Sequence, residues 1–335
     1  MGKGVYHTAD MSMLPWMVMA GASAAVNYFP PVPQPGDSSY TPNPRHHLRV
    51  MFENDSAGTT DRNYTHGSRI DYVQNVGKSP YHAFGASLTQ NIYTPETHAT
   101  CAVKDEHPYA GYLALGVAHL YQGEQVGSAV EFQLGATGNA SFARDSQEIV
   151  HEVGDMETWE GWGDQIPSEL TFQLSARQDY RLEFLECCTA GGWQTDGIFY
   201  TREELGTVSI AGTVGVSVRL GRNLPPAMQV NGSAPANFAV GLLRKETYRP
   251  EEISYFLVAG CSVNYIARDM FIDGGVFHDF DKTCSLQPWQ VEGQLGIGVS
   301  HKNIDYYAGM FLRSRGYSTQ DQNTWMGTFS INFNW

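Results

Sequence analysis

The residues of this chain with the greatest chemical capacity fall in two short stretches. One runs from Phe52-Glu53-Asn54-Asp55-Ser56 through Asp61-Arg62-Asn63-Tyr64-Thr65-His66-Gly67, where carboxylates, amides, hydroxyls, a guanidinium and an imidazole crowd a hairpin tip. A turn needs Gly, Asn or Asp for its backbone angles, and this one carries much more. The other stretch is Gln147-x-x-x-His151, whose spacing is one helical turn and brings both side chains to one face. Imidazole is the side chain whose unperturbed pKa lets it stand neutral near pH 7 and take a proton from water. The Asp55 carboxylate, with backbone carbonyls of the hairpin tip, is a hard-oxygen set of the kind that holds calcium, and a cation so held polarises a carbonyl oxygen. No G-x-S-x-G elbow occurs, which favours activated water over an acyl-enzyme. Each feature also has a plainer reading. Polar loop tips are commonly solvated, Asn54 and Asp55 are turn formers, Thr65 is a strand-start hydroxyl, and a His on a short helix by default packs or faces solvent.

The elements that must position these residues are strands. Leu48, Val50 and Phe52 alternate with Arg49, Met51 and Glu53, the period-two pattern of a strand with one apolar face. Similar runs are expected at 67–75, 82–93, 109–121, 127–135, 170–175, 180–188, 207–220, 253–266, 289–300, 305–313 and 324–335. One helix is expected over 143–153, with Asp145 or Ser146 able to cap it. In the closing run, Trp325, Phe329, Ile331, Phe333 and Trp335 share one face, an ending that suits a barrel girdled by interfacial aromatics. The fold class expected is all-β: an antiparallel transmembrane β-barrel of about 12 strands with a short extracellular helix. A soluble β-sandwich, or a secreted β-protein binding lipid or glycan, is the alternative, because its inner face is apolar too. Counting strands from a periplasmic N-terminus puts the 56–66 loop and the His151 helix at the same, outer end. The 222–251 segment falls at the opposite end. Alternation also places Asn54 and Asp55 on opposite faces unless a bulge intervenes.

Composition narrows the function classes. Across 335 residues, 42% are apolar and 12% aromatic but only 17% charged, and no apolar run is long enough for a membrane helix. A net charge of -14 argues against nucleic acid, whose phosphates are met by Lys and Arg. The five cysteines have no metal-type spacing; Cys261 and Cys284 are candidates to pair across a hairpin in an oxidising compartment. Residues 1–25, with Lys3 ahead of an apolar stretch ending at Ala22-Ser23-Ala24, read as a targeting segment for export. Residues 26–46 are Pro-rich and read as a linker, leaving 47–335 as the barrel domain.

Taken together, Glu53-Asn54-Asp55, Tyr64-Thr65-x-Gly67, Pro108-Tyr109-Ala110-Gly111-Tyr112, Gln147-x-x-x-His151 and Gly161-Trp162-x-x-Gln165 resemble, in order and spacing, the outer-membrane lipid A 3′-O-deacylases of the LpxR type. Arg268-Asp269-Met270-Phe271-Ile272-Asp273-Gly274 is a weaker landmark of the same family. The resemblance implies a twelve-stranded barrel in a Gram-negative outer membrane that hydrolyses an acyl ester of lipid A, a substrate of the outer leaflet, using a histidine base and a bound calcium ion. It implies His151 as that base, with Asn54, Thr65 and Gln147 in the catalytic group and Asp55 and Glu157 toward the metal. The runner-up is a non-enzymatic outer-membrane barrel, a pore or structural protein, that keeps the scaffold. Tyr109 and Tyr112 are expected as girdle or wall residues, and His66 and His107 as bystanders. One departure concerns the substrate: where some members carry a basic pair after the strand matching 91–95, this chain has Glu96-Thr97-His98-Ala99-Thr100-Cys101.

Overall fold

The computed structural model describes residues 46–55, 62–76, 81–97, 100–101, 103–155, 159–225, 249–278, 280 and 283–335. The targeting segment, nearly all of the linker, Glu157, Asp61 and most of the 222–251 segment lie outside these described residues. The strands are β1 His46–Asn54, β2 Asn63–Asn75, β3 His82–Thr94, β4 Ala110–Tyr121, β5 Val126–Thr137, β6 Leu170–Arg181, β7 Cys187–Cys188, β8 Gln194–Gly206, β9 Ser209–Arg222, β10 Ser254–Asp269, β11 Trp289–His301, β12 Ile304–Arg313 and β13 Thr324–Asn334. All pairings between them are antiparallel, from β1 with β13 round to β6 with β8, so the sheet closes on itself. The two-residue β7 hangs on β8 alone, and the closed wall has 12 strands. A closed wall leaves no edge with unpaired amides, as a structure crossing lipid requires.

Burial is inverted relative to a soluble protein. Leu115, Val117, Leu134, Leu170, Phe172, Leu295 and Ile297 project outward and exposed, while Arg69, Asp71, Glu131, Gln173 and Asp179 are buried in the lumen. That inversion excludes the β-sandwich, whose polar face would be the outer one. Aromatics cluster near strand ends, with Trp289 against Tyr265 at one end, and Trp335, Tyr72 and His46 grouped at the other. The lumen is filled by ion pairs: Arg69 reaches Asp71 and Glu131, both at 2.7 Å, Arg49 shares Asp71, and Arg177–Asp179, Arg219–Asp196 and Arg313–Glu292 each close at 2.6 Å.

Two differences from the sequence expectation concern strands. The run expected at 180–188 is no wall strand; β6 continues through Arg181, and Glu183–Leu185 is a 3₁₀ turn. The neighbour of β6 in the wall is β8, whose apolar pattern is broken by Asp196, Arg202, Glu203 and Glu204. Inside a polar lumen such charges are tolerated, and Asp196 and Glu204 are both buried beside arginines. The apolar Leu185 misled for the opposite reason: it packs over Gly197, where an added Cβ would meet Leu185 Cδ1 at 2.4 Å. In addition, β1 begins at His46, the last residue of the expected linker.

The cysteine pairing is also overturned. All five thiols are free; Cys261 is exposed on β10, whereas Cys284 is buried beneath a loop beside Ile272 and Tyr317. Burial pushes the Cys284 thiol up to about 12.

Candidate active site

The long connections after β1, β3, β5, β10 and β12 all emerge at one end of the barrel, which in outer-membrane barrels is the extracellular one. The connection after β5 carries helix α1, Ala143–Val153, coincident with the span expected from sequence. Helix α2, Met270–Asp273, plugs the mouth, where Phe271 stacks on Tyr93 at 4.5 Å and meets Tyr112 edge-on at 5.9 Å.

Asn54 and Asp55 diverge as alternation requires. Asn54 ends β1 on the parity of exposed Phe52 and pairs with His66. Asp55, on the lumen parity of Glu53, is fully buried, and its Oδ2 accepts the Arg62 N–H at 2.6 Å, tying together the two ends of the hairpin loop. Thr65 occupies a bulge. Pairing between β2 and β3 steps from Tyr64↔Tyr93 to His66↔Ile92, so Thr65 is an extra residue without a partner in the register. A bulge re-aims side chains. Here it lets Tyr64 turn into the lumen, donating to Glu53 Oε2 at 2.8 Å, while the buried Thr65 hydroxyl meets that of Thr94 on the outward parity of Leu88.

Helix α1 lies on the outer face of this wall. Gly111 makes the contact: an added Cβ would sit 2.1 Å from Ser141 Oγ and 2.3 Å from Ala143 Cβ. Gln90 Nε2 donates to the Ser141 carbonyl at 2.9 Å, and Ile92, Tyr109, Ala143, Trp159 and Trp162 form one apolar cluster behind the helix. Gln147 and His151 are both buried on the wall side, in line with Ala143. The indole of Trp162, in the Gly161–Asp164 turn, donates to Gln147 Oε1 at 2.7 Å, and Gln147 Nε2 is buried with no hydrogen-bond partner among the described residues.

The remaining named residues separate cleanly. Tyr109 packs under Trp162 at 5.2 Å on the outer side and Tyr112 faces the lumen; both are fully buried, so both belong to the wall and neither to a girdle. His66 lies beside Phe52 on the outside. His107 is buried, donates Nδ1–H to the Pro108 carbonyl at 2.8 Å and stacks on Tyr93 at 5.2 Å. Desolvation holds its imidazole down at about 4. Trp162, Gly111 and Thr94 were not assigned roles from sequence, because what each does depends on a partner far away in the chain.

Across residues 14–335 the chain matches the family model described as "Outer membrane protein LpxR". The chain belongs to the LpxR family. Members are outer-membrane proteins, and the inside-out barrel described above fits that location. Among solved structures, LpxR from Salmonella typhimurium superposes with a TM-score of 0.72 at 15% identity, covering 86% of this chain and 100% of that one. The beta domain of the Bordetella autotransporter BrkA follows at a TM-score of 0.42 and 10% identity, covering 88% of this chain and 99% of that one. No curated protein sequence matches the chain. At such identity the Salmonella structure shows a shared LpxR fold, and the site must be argued from the residues themselves.

The side chains of Asn54 and Thr65 on this LpxR-type wall carry hard oxygens, the donor type that suits calcium and not a thiophilic metal. Among the described residues no three His, Cys, Asp or Glu side chains converge.

Proposed function

We propose that the protein is an outer-membrane hydrolase that removes an ester-linked acyl chain from lipid A. The observation that carries this reading is the buried pair Gln147 and His151, facing the outer barrel wall at the end that faces the outside. A register row runs from the hairpin to the strand that seats the helix. Asn54, His66, Ile92 and Gly111 are successive cross-strand neighbours on the outward side of β1 to β4. Strand spacing separates Gly111 from Asn54 by roughly 14 Å. Helix α1 is seated at Ala143 on Gly111 and also packs on β3, and its length from Ala143 to His151, about 12 Å, is comparable with that separation.

In this reading His151 takes a proton from water as the water attacks the ester carbonyl, and returns it to the sugar oxygen as the acyl C–O bond breaks, releasing the fatty acid and a free hydroxyl. Gln147 Nε2, held by Trp162, donates to the oxygen that becomes negative; one well-placed donor of this kind is worth roughly 3 kcal/mol in the transition state. A calcium ion bound at this wall would supply Lewis-acid stabilisation of developing negative charge. Asn54 and Thr65 are proposed as its nearest side-chain donors or as orienting groups, with Asp55 and Glu157 completing the charge on the loops. The observed bond from Arg62 to Asp55 adds that Asp55 shapes the hairpin on which those donors sit.

Mass spectrometry of lipid A from cells expressing the protein and its His151→Ala variant tests the reading. Loss of one acyl chain with the parent and none with the variant is the expected result; acyl loss that survives the substitution would remove His151 from the mechanism. Excess chelator should stop the reaction and calcium should restore it. The pore alternative has against it the buried ion pairs that reach into the lumen and narrow the space a water channel needs.

A further inference from the structure

Helix α1 is divided lengthwise into three sectors. At 3.6 residues per turn, Ala143, Gln147 and His151 form the stripe against the wall. To one side of that stripe lie Phe142, Ile149, Val150 and Val153, each more than half exposed. To the other side lie Arg144, Asp145, Glu148 and Glu152, with Arg144 bonded to Glu148 at 2.8 Å across one turn. A helix that needed only to cover the site would carry polar residues on both flanks.

We propose that α1 is an interfacial helix, with the flank of Phe142, Ile149, Val150 and Val153 immersed in the acyl region of the outer leaflet and the charged flank turned to water. Three observations support hydrocarbon as the partner. The apolar flank continues the lipid-facing belt: the strands beneath and beside the helix expose Leu88, Leu115, Leu134 and Leu170 on the same outer surface. Segregation of charge from apolar residues around one helix is the pattern of helices that lie in a bilayer interface. Finally, Phe142 adopts a left-handed backbone, φ 55°, at the position before α1, where Gly, Asn or Asp would sit with less strain. The residue is 59% exposed there.

The consequence is a site edged by lipid on one side. His151 and Gln147 lie one step around the helix from Val150, so a molecule reaching them from the leaflet passes along the apolar flank and never through the lumen. The membrane contact itself rests on the outer-membrane location and the inside-out wall, not on the reaction proposed above, and it stands or falls separately.

A photoreactive benzoylphenylalanine placed singly at Phe142, Val153, Glu152 or Leu115, in the full chain in outer-membrane preparations, provides the test, with mass spectrometry of adducts after irradiation. Heat-dependent gel migration shows that each variant is a folded barrel. Lipid adducts at Phe142 and Val153 should approach those at the belt position Leu115 and exceed those at Glu152 by at least roughly fivefold. Labelling at Leu115 with none at Phe142 and Val153, equal labelling at Glu152, or adducts to a protein at Val153 would each overturn the proposal.

Discussion

The indole N–H of Trp162 donates to Gln147 Oε1 at 2.7 Å, and this bond decides which end of the Gln147 amide is left over. With the oxygen occupied, the free group is the Nε2 donor, buried on the wall side of α1. A site that must stabilise a developing oxyanion needs a donor there and not an acceptor. Trp162→Phe keeps the packing on Tyr109 but removes the N–H, so the amide is free to flip. Deacylation is expected to fall about tenfold to a hundredfold with the barrel still folded. Rates measured on lipid A micelles, beside heat-dependent gel migration, check this; an unchanged rate would remove Trp162 as a positioning residue.

Gly111 is where the wall admits the helix. Gly111→Val puts side-chain atoms where Ser141 and Ala143 now lie, and the cheapest response is for α1 to lift off β3 and β4. The strands themselves keep their ladder, because a β-branched residue is well suited to a strand. Strongly reduced deacylation with unchanged gel migration is expected, together with faster proteolysis between β5 and β6. Full activity in this variant would mean that α1 need not touch the wall.

Arg69 bridges two carboxylates in the lumen, Asp71 and Glu131, both at 2.7 Å. Arg69→Leu leaves Glu131 buried without its cation and Asp71 with Arg49 alone, and breaking a buried pair this way costs about 3–5 kcal/mol. The temperature at which the folded band disappears on gels should drop, while the parent protein should show no stable conductance in planar bilayers. A steady open channel in the parent would revive the pore reading.

His107 gives the outer loops a pH dependence of defined sign. Its folded pKa of about 4 lies below the unfolded value near 6.5, so the unfolded loop binds the extra proton between those limits. The stabilisation is fully present above pH 6.5 and is lost as pH falls toward 4, by roughly 3 kcal/mol in total. Amide exchange over 103–110, corrected for its intrinsic pH dependence, should accelerate between pH 7 and 4.5 in the parent. In His107→Gln that extra acceleration should vanish.

How far the amino-acid sequence reaches is visible in particular residues. Alternation along 289–300 and 324–335, the helix over 143–153 and the shared face of Gln147 and His151 are local patterns, set by the two periods of strand and helix, and they were legible without a structure. Opposite facing of Asn54 and Asp55 followed from the same parity. Local period says nothing about which side of a strand is wet, since a sandwich and a lipid-facing barrel alternate alike. Closure through β1 with β13 and β6 with β8 made that choice, by enclosing the charged faces. Closure also explains why β8 was invisible: its carboxylates are read as solvent-facing until a lumen full of arginines surrounds them. The Thr65 bulge, the Trp162 bond to Gln147 and the close approach of Ser141 to Gly111 are contacts between residues remote in sequence, so they exist only once strands and loops have been brought together. For the stretch from Phe52 to Gly67, residue types by themselves determined what chemistry was available, whereas tertiary structure decided which groups face lipid, which face the lumen and which lie in the outer-wall row leading to α1.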